Sequence, residues 1–205
     1  MGKLRSERIF LSRYFIVDQL FDKSTNRPIQ LNKLNQPNQP NQLNRPMPQE
    51  IIMYTDGSSR GNPGPGGYGT ILMYGDKRKE LSQGYRRTTN NRMELMAVIA
   101  GLEAMKKTGL KITIYSDSQY IVKALNEGWL NKWLATNFAK GKKNKDLWVR
   151  FYNLYKQHQA KFVWVKGHAE NAYNNRCDEL ATAAADGNDL LTDEGYEMDP
   201  NQLLM

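Results

Sequence analysis

The run Ile51-Ile52-Met53-Tyr54-Thr55, then Asp56-Gly57, then a turn rich in Gly and Pro, constrains this chain more than any other feature. Short apolar runs of this kind form buried β-strands. Residues 57–67 hold so much Gly and Pro that neither helix nor strand can run through them unbroken. Tyr68 to Tyr74 is apolar again, so the turn closes a hairpin. An acid, Asp56, therefore stands where a core strand runs out, beside a conformationally special loop. That is a place for chemistry, and the rest of the chain can be read by what converges on it.

Residues 79–87 supply a third strand after the turn Gly75-Asp76-Lys77-Arg78, giving an antiparallel meander. Capping residues at 88–91 introduce a helix from Arg92 to about Lys107, whose Met93, Met96, Ala97, Ala100 and Ala104 follow helical spacing. Gly109 ends it. Residues 111–116 form a fourth strand with Ile112 and Ile114 inward, and Asp117 stands at its end. A strand reached through a helix lies parallel to the strand it rejoins, so strand four runs parallel to strand one. Helices follow over 118–126, 129–134 and 146–159, with a basic loop at 138–145, a strand over 161–165 and a last helix over 174–185. The expectation is an α/β fold: a five-stranded mixed sheet, strands one to three antiparallel and strands four and five parallel to strand one, flanked by helices.

Three segments are expected. Residues 50–187 form the folded domain. Residues 1–49 carry eight Lys/Arg against three Asp/Glu, five of the chain's net +8 charges. Their Asn/Gln/Pro near-repeats over 30–45 hold too little apolar surface to offset ordering entropy, so this extension is read as disordered, apart from a short amphipathic helix over 6–22. It is either a basic tether for nucleic acid or dispensable, translation starting at Met47; the second is favoured. Residues 188–205, with Asp189, Asp193, Glu194, Glu197 and Asp199 and no base, are expected to form a solvated, flexible tail.

The positive charge points to an acidic partner, nucleic acid first. The single Cys177 excludes an internal disulfide framework and suits a reducing compartment. No apolar run approaches a membrane span, and the stretch 9–21 has no cleavage site typical of a secretory signal, so the expectation is a cytoplasmic protein that does not enter membranes.

Two parallel strands end in acids, Asp56 and Asp117, and ligands of α/β sheets gather at such strand ends. Glu94 in the first long helix and Asp178 in the last could join them. Crowded carboxylates call for a cation, and oxygen-only donors suit Mg²⁺ or Mn²⁺. Each acid also has an ordinary explanation: Glu94 as a capping box with Asn91, Asp117 as a helix N-cap, Asp178 as helix surface, Asp56-Gly57 as a turn.

TDGS at 55–58 with GNPGPGGYG, TTNNRMEL at 88–95, SDSQY at 116–120 and WVKGHAENAYNNRCDELA at 164–181 together resemble type 1 ribonuclease H, in order over roughly residues 50–187. The resemblance implies a ribonuclease H-like fold and a monomeric endonuclease that hydrolyses the RNA strand of RNA–DNA hybrids with two Mg²⁺ ions, Mn²⁺ substituting. It implies that Asp56, Glu94, Asp117 and Asp178 bind the metals, and that His168 on a loop moves a proton or aids product release. It further implies that Asn62, Asn90 and Gln119 contact the hybrid near its 2′-hydroxyls, that Thr89 seats a DNA phosphate, and that Trp129, Trp133, Lys140, Lys142, Lys143 and Lys145 form a basic protrusion gripping the DNA strand. The loop Glu170-Asn171-Ala172-Tyr173 departs from the family pattern, although the spacing from His168 to Asp178 is kept. The rivals are a hybrid-binding module without catalysis, which the presence of all four acids argues against, and a DNA strand-transfer enzyme, for which further domains are missing.

Overall fold

A computed structural model describes residues 50–139, 141–167 and 171–198. The expectations for residues 1–49, Lys140, His168 and the end of the tail beyond 198 lie outside these. The opening apolar run is strand β1 (Ile51–Ser59), and the Gly/Pro turn joins it to β2 (Gly64–Tyr74), which pairs antiparallel with it. Strand β3 (Lys77–Thr88) completes the meander through a turn in which Gly75 takes φ 55°, a conformation open to glycine at no steric cost. Helix α1 (Asn90–Glu103) leads to β4 (Lys111–Ser116), then α2 (Gln119–Asn126), α3 (Trp129–Ala135), α4 (Lys145–Tyr155), β5 (Gln159–Trp164), α5 (Ala172–Ala185), β6 (Leu190–Leu191) and α6 (Glu194–Glu197). The sheet order is β5-β4-β1-β2-β3-β6, and β1, β4 and β5 run parallel. Among the described residues no helix is long and apolar enough to cross a membrane.

Alternation along β1 explains its central place. Ile51, Met53 and Thr55 are buried on the face that α1 covers. There Thr70 Oγ1 donates to the Ala97 carbonyl at 2.7 Å, and a Cβ on Gly101 would meet Met53 and Thr70. The opposite face of β1 and β2 receives α5. Two glycines let the helices come so close. A Cβ on Gly57 would fall on the backbone of Met93 and Glu94 in α1, and one on Gly69 would fall on the Cys177 carbonyl in α5. Gly57 follows Asp56 in sequence and Gly69 opposes Asp56 in register. The helices that carry Glu94 and Asp178 are thus admitted to the sheet at the level of Asp56.

The tail differs from its expectation. Leu190 and Leu191 add a sixth strand, parallel to β3 at Gly84 and Tyr85, where five strands were expected. Asp193 and Tyr196 are buried, so residues 188–198 belong to the packed domain rather than to a flexible tail. The physical reason is a set of partners distant in sequence. Asp193 accepts from Arg92 at 2.7 Å and from Thr88 at 2.6 Å, and Arg86 reaches Glu197 at 2.9 Å. Helix α1 starts at Asn90 and ends at Glu103, not at 92 and 107. Its N-cap is Thr89, without a side-chain capping bond.

Candidate active site

Asp56 lies inside β1, which runs on to Ser59 rather than stopping at the acid; it follows Thr55, the last residue of β1 to pair with β4, and its Oδ1 accepts from the Gly57 amide at 2.8 Å. Glu94 projects from α1 and accepts at Oε1 from Asn90, one turn earlier, at 3.4 Å. Both acids are only 6% exposed. Asp117 follows β4 and is half-buried. Its backbone carbonyl accepts from the Trp164 indole at 3.1 Å, and its Oδ2 accepts from Asn174 Nδ2 at 3.2 Å. One carboxylate oxygen from each of Asp56, Glu94 and Asp117 lies within 4.8 Å of the others. Glu94 therefore does not act as a capping residue; it is turned into the cluster.

The electrostatics of this arrangement are unfavourable on their own. Burial first, then the charges of Asp117 and Asp178, push Asp56 up to about 8. Burial first, then Asp56 and Asp117, hold Glu94 well above the ordinary carboxylate range. Glu94 Oε2 is buried and has no hydrogen-bond partner in the protein. An orphaned, buried acceptor among like charges is a cost that a cation removes. The donors are hard oxygens, few in number, which is the set that Mg²⁺ or Mn²⁺ takes while keeping waters and a phosphate oxygen. The residues present fit such an ion.

Asp178, on α5, stands outside the group of three but acts on Asp56 through its charge. The expected quartet is thus a converged trio with a neighbour. His168 lies outside the described residues. Its predecessor Gly167 packs on the cluster: a Cβ there would fall on Asp117 Oδ2.

Four of the expected hybrid contacts, Asn62, Thr89, Asn90 and Gln119, stand on or against the elements that carry the trio. Asn62, in the Gly/Pro turn, accepts at Oδ1 from the Asn90 amide at 3.4 Å, so the turn meets the start of α1. Thr89 is the residue before that helix. Gln119, exposed, opens α2 two residues after Asp117. Trp129 and Trp133 are half-buried and tilted against each other with ring centres 6.2 Å apart; Trp133 also lies 5.4 Å from the buried Trp148. These indoles pack α3 on α4. Lys142, Lys143 and Lys145 are exposed beside them, with the Lys142 ammonium 5.7 Å above the Trp133 ring. Lys140 lies outside the described residues. His158 is away from the trio, its pKa lowered by burial. Cys177 is buried, and burial pushes its thiol up, so it offers no nucleophile.

Sequence reasoning missed Asn174 and Arg92. Asn174 stands four residues before Asp178, a spacing that places both on one helix face. Arg92 gave no local signal, because its partners Asp146 and Asp193 are far along the chain.

Residues 48–186 match the family model for RNase H. The ribonuclease H of Syntrophus aciditrophicus (strain SB) is 53% identical over 152 residues, spanning 72% of this chain and 87% of that protein. Among solved structures, LC9-RNase H1, a type 1 RNase H with the type 2 active-site motif, aligns with a TM-score of 0.62 at 29% identity, over 76% of this chain and 84% of that one. LC11-RNase H1 in complex with an RNA/DNA hybrid aligns with a TM-score of 0.52 at 28% identity, over 67% of this chain and 97% of that one.

Proposed function

The chain belongs to the ribonuclease H family, and from that membership together with its carboxylate cluster we propose that it is an endonuclease hydrolysing the RNA strand of RNA–DNA hybrids by metal-dependent catalysis. The observation that carries the reading is the trio Asp56, Glu94 and Asp117, whose oxygens lie within 4.8 Å of one another with two of the acids held protonation-prone by burial and mutual repulsion. Asp56, Glu94 and Asp117, with Asp178 brought up by α5, would hold two Mg²⁺ ions, or Mn²⁺ in their place. When bound, such ions lower the pKa of water, orient the scissile phosphate and neutralise charge on the leaving oxygen.

The chain's own residues supply the rest. Asp56 would be the central residue in holding the ions, since its carboxylate meets the charges of Asp117 and Asp178 and acts in turn on Glu94. Gly57 holds its carboxylate through the amide hydrogen bond. Water adds to the RNA phosphorus, the bond to the 3′-oxygen breaks, and the products carry a 3′-hydroxyl and a 5′-phosphate. His168, next to the glycine that packs on Asp117, takes up and returns a proton at its imidazole. Asn62, Asn90 and Gln119 both donate and accept, as a 2′-hydroxyl requires of its readers. Thr89, before the first amides of α1, suits a DNA phosphate. Lys140, Lys142, Lys143 and Lys145 extend phosphate contact along the DNA strand, while Trp129 and Trp133 brace the protrusion and offer ring edges to sugars. The catalytic domain runs over 50–187, with 188–198 as a strap upon it, and acts as a cytoplasmic monomer for which residues 1–46 are dispensable.

The test is a panel of end-labelled RNA–DNA hybrid, duplex RNA and duplex DNA, each with Mg²⁺ and with EDTA. The expected result is cleavage of the hybrid's RNA strand alone, with 5′-phosphate products, abolished by EDTA. Hybrid cleavage that persists in EDTA would overturn the metal reading; equal cutting of duplex RNA would overturn the substrate.

A further inference from the structure

Asn174 is buried at the edge of the carboxylate trio, 1% exposed, and has no part in the chemistry described above. Its Nδ2 donates to Asp117 Oδ2 at 3.2 Å, while its own Oδ1 is buried without a partner. The orientation of the amide follows from charge: turned over, it would set its oxygen against a carboxylate oxygen. A buried carboxamide with an unmet acceptor is a costly way to fill space, and an apolar side chain of the same shape would avoid that cost. The cost is offset at Asp117. That carboxylate is half-exposed and faces the charges of Asp56 and Glu94, which drive it outward toward water. The Asn174 N–H draws it back, and Gly167 packs against the same oxygen.

The placement of Asn174 gives this contact a second effect. Asn171 caps α5 by accepting from the amides of Tyr173 and Asn174, both at 3.1 Å, which fixes the first turn of the helix. Asn174 and Asp178 are one helical turn apart and share a face. The hydrogen bond to Asp117 therefore sets the register of α5, and of Asp178 on it, relative to Asp56 in β1 and the end of β4.

We propose that Asn174 is a positioning residue for the reaction: its N–H holds Asp117 in the orientation in which the trio converges on one cation, and keeps the helix bearing Asp178 in step with it. This rests on the metal-dependent reading above. Ligand-orienting partners of this kind are worth about 10–100-fold in metal affinity or activity.

The experiment compares wild type with Asn174→Leu, which fills the same space without a donor, and with Asn174→Ala. Mg²⁺ affinity is measured by calorimetry without substrate. The Mg²⁺ concentration for half-maximal hybrid cleavage, the KM for hybrid at saturating Mg²⁺, and the unfolding midpoint in EDTA are measured beside it. The expected result is a loss of Mg²⁺ affinity of about 10–100-fold in both variants with a matching shift in the cleavage titration, while KM for hybrid stays within roughly twofold. Asn174→Leu should unfold in EDTA no earlier than wild type, which a merely structural role would not give. Mg²⁺ titrations that superimpose on wild type would overturn the inference. Wild type that neither binds nor needs a divalent ion would instead overturn the functional reading beneath it. Should both variants fail to fold, the side-chain amide signals of Asn174 in wild type decide: they move with Mg²⁺ at the midpoint of metal binding, and if they stay fixed to saturation the inference falls.

Discussion

Replacing Asp193 by Ala should destabilise the domain far more than replacing Glu197, although both lie in the same acidic segment. Asp193 is 6% exposed and takes two hydrogen bonds from the Arg92 guanidinium, each 2.7 Å, plus one from Thr88 Oγ1 at 2.6 Å. Arg92 is 2% exposed and Thr88 is fully buried. Burial by itself would lower the Arg92 pKa; its bonds to Asp146 and Asp193 outweigh that and raise it. Removing one partner of a buried ion pair costs about 3–5 kcal/mol, because the other charge is left uncompensated. Arg92 keeps Asp146, at 2.9 and 2.6 Å, so the lower end of that range applies, while Thr88 loses its acceptor at a cost of about 1 kcal/mol. A net loss of about 4 kcal/mol follows. For a domain of this size that is a fall in Tm of about 8–16 °C, at 2–4 °C per kcal/mol. Glu197 pairs with Arg86, whose side chain is 59% exposed, and such pairs contribute about 0–1 kcal/mol. Urea denaturation and calorimetry of Asp193→Ala and Glu197→Ala measure both. Equal losses below about 1 kcal/mol would refute the claim that the strap is locked through Arg92.

The remaining predictions concern the site. In EDTA, stability should fall as pH rises from about 5 to about 8, because the folded state holds protons on Asp56, raised from 3.8 to about 8, and on Glu94, which the unfolded chain has released. Added Mg²⁺ should stabilise increasingly over that window; thermal denaturation in both buffers checks it, and a metal-free curve that stays flat would refute it. The carboxylates held below their usual range, such as Asp146 and Glu80, act oppositely but below about pH 5. Replacing Lys142, Lys143 and Lys145 together by Ala should flatten the log Kd against log salt slope for hybrid by about two to three units at most. An unchanged slope removes this loop from the interface. Gly57→Ala should cost about 1–3 kcal/mol and lower kcat more than tenfold, because the new Cβ displaces Glu94; full activity would show that α1 yields without moving its acid.

What the sequence makes legible is what local chemistry decides. Asp56 stands out because an apolar run, an acid and a Gly/Pro turn coincide, and Asp117 because a second strand ends the same way. The parallel pairing of β1 and β4 follows from chain handedness. Glu94 is different: three residues after Asn91, it fits a helix cap as well as a ligand, and only the resemblance of TTNNRMEL decided for it. Reading Gly57 as a turn residue is incomplete, because the larger task of Gly57 and Gly69 is to admit α1 and α5, which no local pattern shows. The strap escaped entirely. Two leucines are too few to show a period, and Asp193 meets Arg92 across 101 positions of sequence. Acids without nearby bases look solvated until the fold brings a distant guanidinium to them. Asn174 went unread: its turn spacing from Asp178 is visible in the sequence, but its hydrogen bond to Asp117 is a property of the fold.

The central claim is that the trio built around Asp56 performs the cleavage. The most direct measurement is the single-turnover rate of RNA-strand cleavage in a hybrid, in Mg²⁺, for wild type and Asp56→Asn. The substitution keeps shape and the Gly57 hydrogen bond but removes the shared charge. The account predicts a rate lower by about a thousandfold or more, with hybrid affinity and Tm in EDTA retained or improved, since a repelling charge is gone. An Asp56→Asn protein that still cleaves the RNA strand within about tenfold of the wild-type rate would contradict it.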